Sequence, residues 1–144
     1  IVRRNGWCIQ HGRCKHPGKT PLVKWGTYQD RLPTADEVRK WWKEWPEANI
    51  GLATGELSDV VVVDLDGEVA QAEANRRGYD PGPWVRTGRV GGQHLYFRYR
   101  ADAPTIFSKV GGIDFRGQGG FVLLPPSLHH TVVRYSLGEA FRRG

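Results

Sequence analysis

The chain is short of several things, and each shortage excludes a class of protein. Cysteine occurs only twice in 144 residues, as Cys8 and Cys14. These do not make a secreted disulfide scaffold, so a reducing, cytoplasmic setting is expected. No apolar stretch approaches the roughly 20 residues of a membrane-spanning helix. Arg3 and Arg4 lead into a mixed, Gly- and Cys-containing stretch rather than an apolar segment, so no signal peptide is read there. Repeats and low-complexity linkers are lacking, and the length suits one domain spanning 1–144. Acidic residues are in deficit, 15 against 21 Lys and Arg, for a formal net charge of +6. The isoelectric point of about 9.6 fits a polyanionic partner. A solvated basic surface fits the charge equally well.

What is present suffices for a real core, since 39% of residues are hydrophobic. The Gly/Pro/Lys-rich stretch from Gly6 to Tyr28 reads as a strand followed by an ordered loop. Thr34-Ala35-Asp36-Glu37 matches a capping box that opens a helix running to about Trp45, before Pro46. Trp41, Trp42 and Trp45 give that helix an aromatic face suited to packing. Val60 to Val63 is a β-branched run that reads as a strand buried on both faces. Glu68 to Arg77 reads as a helix ending at a Gly78 C-cap. Trp84–Thr87 and His94–Arg100 read as strands around a turn at Arg89–Gly92. Ile113–Arg116 and Phe121–Leu124 look like a hairpin about Gly117–Gly120, closed by Pro125-Pro126. The expected class is α+β, a mixed or antiparallel sheet with packed helices.

Three places carry chemistry. Asp64-Leu65-Asp66 ends the valine run, and alternation along a strand sends both carboxylates to one side. Side by side they repel, and a hard divalent cation such as magnesium or manganese would relieve the repulsion. The plainer alternative is a pair of exposed turn carboxylates. His94 follows Gly91-Gly92 with only Gln93 between, where a ligand or backbone can approach closely. Alone it reads best as a strand-end histidine bonded to backbone. Asp114 and Arg116, again two apart, pair a metal-type ligand with a phosphate-type donor. Their plainer reading is a surface ion pair of little worth.

Taken in order, Asp64-Leu65-Asp66, Gly92-Gln93-His94 and Asp114 in Gly-Ile-Asp-Phe-Arg-Gly resemble the three motifs of the archaeo-eukaryotic primase superfamily. The match is nearest to the bifunctional DNA primase/polymerase N-terminal domain of plasmid, phage and CRISPR-associated replication proteins. Gly18-Lys19-Thr20-Pro21-Leu22 is similar to that family's opening segment. Trp41-Trp42 with Pro46 to Gly55 is similar to its most recognisable block, and Phe121 to Ser127 to its closing block. The resemblance covers about Gly6 to Tyr135.

It implies an RRM-like catalytic sheet joined to a small N-terminal α/β unit. It further implies a primase/polymerase, a template-dependent nucleotidyltransferase that uses two divalent metal ions, magnesium or manganese. Asp64, Asp66 and Asp114 would be the metal ligands, and His94 would touch the triphosphate. Arg116 and Lys19 would contact triphosphate or template, and Asn49, Thr54 and Ser127 would line the nucleotide pocket. Implied partners are single-stranded or primed DNA, nucleoside triphosphates, and a helical or helicase region of a longer cytoplasmic replication protein. Val90 departs from the small hydroxyl residue common before the Gly pair.

Two alternatives and one further site stand beside this reading. Val-Val-Val-Val-Asp-Leu-Asp-Gly also looks like the nucleophile motif of haloacid dehalogenase phosphohydrolases, with Asp64 attacking phosphate. Glu68 stands where that family usually has Thr, and too little chain remains for its parallel sheet. A non-catalytic nucleic-acid-binding module would use the basic charge and the aromatics, but has no need of three acidic positions. Cys8, His11, Cys14 and His16 place four zinc-type ligands within nine residues. That spacing is tight for a tetrahedral site, so a loop with free thiols is favoured over zinc.

Overall fold

The described residues form two α-helices and eight strands. A computed structural model describes residues 18–79, 82–102 and 106–138. The Cys8, His11, Cys14 and His16 cluster lies outside the described residues. So does the first part of the Gly6 to Tyr28 stretch, expected as a strand followed by a loop, and within its described part Trp25–Gln29 forms a 3-10 turn. Helix α1, Ala35–Glu44, starts with the expected capping box: Thr34 Oγ1 accepts from Glu37 N, and the Glu37 carboxylate accepts from Thr34 N. Helix α2, Glu68–Arg76, ends near Gly78, whose φ of 73° a side chain would resist. No helix among the described residues is long and apolar enough to cross a membrane.

The strands are β1 (Ile50–Ala53), β2 (Val60–Asp66), β3 (Trp84–Arg86), β4 (Gly92–Arg98), β5 (Ile106–Val110), β6 (Ile113–Arg116), β7 (Phe121–Leu124) and β8 (Ser136–Leu137). Six form one sheet in the order β5-β6-β2-β4-β3-β8, and β1 pairs with β7 in a second. The class is α+β, as expected, and every strand pairing among the described residues is antiparallel. That removes the dehalogenase alternative, whose nucleophile strand belongs to a parallel sheet. The smaller sheet draws on both halves of the chain, because β7 returns to β1.

The expected hairpin between Ile113–Arg116 and Phe121–Leu124 does not form. Both segments are strands, but β6 already has β2 on one edge and β5 on the other. The Gly117–Gly120 turn is instead held by Thr54 at the end of β1. Thr54 Oγ1 donates to Gly117 O at 2.7 Å, and Thr54 N donates to Gly120 O at 2.9 Å. The chain therefore leaves one sheet and enters the other.

Strand β2 is buried on both faces, as its valines require. One face packs Val63, Leu65 and Leu95 against Ala70 and Ala74 of α2, with Trp84, Phe97, Ile113 and Phe115 around them. The opposite face packs Val85 and Tyr135 against Leu123 of β7, with Tyr96 and Phe121 beside them. The smaller sheet thus covers part of the large one. Trp41 of α1 is half-buried, edge-on to Tyr28 at 5.1 Å, and shares an apolar hollow of about 230 Å³ with Trp25, Leu52 and Phe121.

Asn49 ties the two ends of the smaller unit together. Its Nδ2 donates to Gly18 O (3.1 Å) and Leu128 O (2.9 Å), and its Oδ1 accepts from Leu128 N (2.8 Å). Asn49→Ala would strand these buried groups, at a cost of about 3 kcal/mol. Thr34→Ala, which removes only a helix cap, should cost about 1 kcal/mol. Urea unfolding of both variants checks the order, and equal losses would contradict it.

Candidate functional site

A carboxylate in the middle of a two-sided strand acquires whatever neighbours the register dictates. Asp64 lies opposite His94 on β4 and opposite Asp114 on β6. The three side chains therefore form one row across three strands, on the face that the smaller sheet partly covers. Asp66, two residues on, shares that face, and so does Arg116 beside Asp114. Gly92 faces Asp66 in the β4 register. A Cβ at Gly92 would overlap Thr87 Oγ1, so only glycine lets the chain enter the strand here.

Asp64 and His94 of the row open into a cleft of about 550 Å³ that Lys19, Arg116, Phe121 and Tyr135 also line, whereas Asp66 and Asp114 are not among its lining residues. His94 is only 4% exposed. Burial, together with the charges of Lys19 and Arg116, pushes its pKa down to about 3, against an opposing pull from Asp66. The 3.5 Å approach of its Nε2 to Asp64 Oδ1 is therefore a contact between a neutral imidazole and a carboxylate, not an ion pair. Its Nδ1 is buried without a hydrogen-bond partner among the described residues.

The carboxylates are held by cations. Arg116 lies 2.9 Å from Asp114 Oδ2 and 4.0 Å from Asp64 Oδ2, and Arg89 lies 3.2 Å from Asp66 Oδ1. The Asp114–Arg116 pair of the plainer reading thus exists, but it is half-buried and faces the row. Tyr96 and Tyr135 are raised well above the usual phenol range, first by burial and then by surrounding groups that include Asp64. Both hydroxyls stay protonated beside the carboxylates. Among the described residues, no three His, Cys, Asp or Glu side chains are placed to hold one ion as they stand.

Residues 2–142 match the model of the family described as bifunctional DNA primase/polymerase, N-terminal. The chain belongs to this family. No curated protein matches it. The Prim-Pol family is a primase/polymerase type of nucleotidyltransferase.

The other expected site residues of the Prim-Pol domain divide between the cleft and the interior. Lys19 lines the cleft. Asn49, Thr54 and Ser127 are not among the residues lining it, and each is buried with its polar atoms bound to backbone. Asn49 and Ser127 border a separate small hollow instead. Sequence reasoning missed Arg89 and Tyr135. Arg89 stood in a segment read simply as a turn, and Tyr135 closed the resembling region without any motif of its own.

The histidine has a sign that can be checked. Its folded pKa lies below the unfolded value of roughly 6.5, so the unfolded chain takes up the proton first. The stability tied to neutral His94 is fully present above about pH 6.5 and drains as pH falls toward about 3. An NMR titration of the His94 ring should show no midpoint between pH 5 and 8. A midpoint near 6.5 would contradict the burial argument.

Proposed function

We propose that this Prim-Pol domain performs template-dependent nucleotidyl transfer at the His94–Asp64–Asp114 row, adding nucleotides to a primer or to an initiating nucleotide. The observation that carries the reading is the register, which sets residues distant in sequence side by side on one sheet face, with Asp64, His94 and Arg116 lining the cleft. On this reading the partners are single-stranded or primed DNA and nucleoside triphosphates, in the cytoplasm, alongside a helical or helicase region of a replication protein.

The donor set suits magnesium or manganese. Asp64, Asp66 and Asp114 offer only hard oxygens, and such ions need few protein carboxylates because waters and substrate phosphates complete the shell. Arg89 and Arg116 now supply the positive charge those carboxylates demand, so both guanidiniums would yield when an ion binds. A divalent ion, when bound, would neutralise the triphosphate and ease deprotonation of the attacking hydroxyl. The protein's own share is orientation and electrostatics. His94, neutral, can donate one N–H to a phosphate oxygen without bringing a buried charge. Arg116, released from Asp114, and Lys19 at the mouth would hold the remaining phosphate charge. Tyr96 and Tyr135 wall the row with protonated phenols.

Asp64→Ala with Asp66→Ala removes two mutually repelling charges and should leave the fold intact. Primer extension with magnesium or manganese, run with ribo- and deoxyribonucleotides, should fall by on the order of a thousandfold or more. Full activity in that double variant would sink the assignment. Metal-independent binding to single strands with no incorporation by the unaltered protein would favour a binding module instead.

A further inference from the structure

Four aromatic rings surround a space that none of them fills. Trp25, Tyr28, Trp41 and Phe121 are all half-buried and line the apolar hollow of about 230 Å³. The hollow follows from the sequence of β1. Gly51 and Ala53 stand opposite Leu123 and Phe121 in the register, so they share that face, and they offer it nothing larger than a methyl group. Protein interiors seldom keep voids larger than a water molecule. This one opens to solvent past Leu32 and Leu57, which line it and are 66% and 40% exposed. None of its lining residues is charged. Its two hydroxyls are already engaged: Tyr28 donates to Glu37 Oε1 at 2.9 Å, and Ser58 to Gly55 O at 3.2 Å. The rings meet edge-on, Trp25 with Phe121 at 5.2 Å and Tyr28 with Trp41 at 5.1 Å. An edge-on pair covers one of its four ring faces and leaves the others for a third ring. The ligand that fits is a flat, uncharged ring, held by stacking rather than read along its edge.

Position says where such a ring comes from. Pro21, Trp25 and Phe121 line the hollow and also the cleft that holds Lys19, Asp64, His94 and Arg116. A nucleotide chain in the cleft can therefore turn one base across these three side chains. The hollow is smaller than the roughly 300 Å³ at which ordinary small-molecule pockets begin. One base fits it and a whole nucleotide does not. The base of an incoming nucleotide must stay in the open to pair with the template, and a base buried among these rings cannot pair. The hollow thus suits an unpaired base of the template strand. A seat that stacks without reading the base edge accepts all four bases, as a template requires.

We propose that this hollow holds the first unpaired template base beyond the one being copied, turned out of its strand and stacked on the Trp25 ring. The inference rests on the polymerase reading, and names where that activity's template strand bends.

Anisotropy of the full chain on a labelled primer–template tests this, with a single abasic site moved along the unpaired part of the template and thermal melts to confirm that each variant folds. With the unaltered chain, an abasic site at the first position beyond the copied base should weaken binding about tenfold, as the loss of one stacked base predicts. Exchanging the four bases at that position should change little, and an abasic site well downstream should change nothing. Trp25→Ala should lose about tenfold on the intact template and nothing further at the abasic site, while Trp25→Phe, which keeps a ring, retains the sensitivity. Ala53→Phe, which fills the hollow, should behave as Trp25→Ala does. Equal affinity of the unaltered chain for intact and abasic templates would overturn the proposal, as would an abasic loss that persists in both Trp25→Ala and Ala53→Phe. So would a dimer of the unaltered chain that Ala53→Phe dissolves, since the hollow would then belong to a second copy. Weaker triphosphate binding in Trp25→Ala without any abasic effect would give the hollow to the incoming nucleotide and also overturn it. An unaltered chain that extends primers but ignores the abasic site defeats the hollow alone. One that shows the abasic effect but incorporates nothing defeats the polymerase reading alone.

Discussion

Asp64 and Asp114 stand directly opposite one another on bonded strands, largely buried, and like charges so placed repel. Much of the surrounding structure answers that repulsion. Arg116 reaches across its own strand to Asp114 and stays within 4.0 Å of Asp64. Arg89 comes from the turn before β4 to meet Asp66. His94 completes the row as a neutral group, because the same burial and the same cations that surround the carboxylates forbid it a proton at ordinary pH.

The two sheets make this arrangement durable. The face bearing the row is also a packing face, where Val85, Tyr135 and Leu123 meet. The polar row is thus framed by core on one side, and its Asp64 and His94 open to the cleft on the other. The backbone positions that hold the frame are bound by Asn49, Thr54 and Ser127, whose polar atoms serve loops and turns. Their place in the resembling blocks is accounted for by architecture. The row's own groups, Asp64, His94 and Asp114, are supplied by strands, which hold a side chain more precisely than loops do.

Much of this was legible beforehand. Alternation along β2 predicted that Asp64 and Asp66 share a face, and the register places them so. The capping box at Thr34 and the Gly78 terminus bounded both helices to within a residue or two. What failed was pairing. Ile113–Arg116 and Phe121–Leu124 flank a glycine turn just as hairpin strands do, and local pattern carries no record of which edges are already occupied. Strand β5, which occupies one of those edges, went unread. Arg89 escaped notice because a turn residue's reach depends on what lies across the gap.

By itself, then, the sequence determined the residue types, their alternation and their order: two acids on one strand face, a histidine after paired glycines, an acid beside an arginine, and few acids elsewhere in the second half. These are local properties, set by strand period and backbone sterics. Only the tertiary structure decided that Asp64 would have His94 on one side and Asp114 on the other, that Arg89 and Arg116 would stand against the carboxylates, and that the histidine would be neutral. Those facts follow from register, burial and distance between segments remote in the chain, and no periodicity within a single segment encodes them.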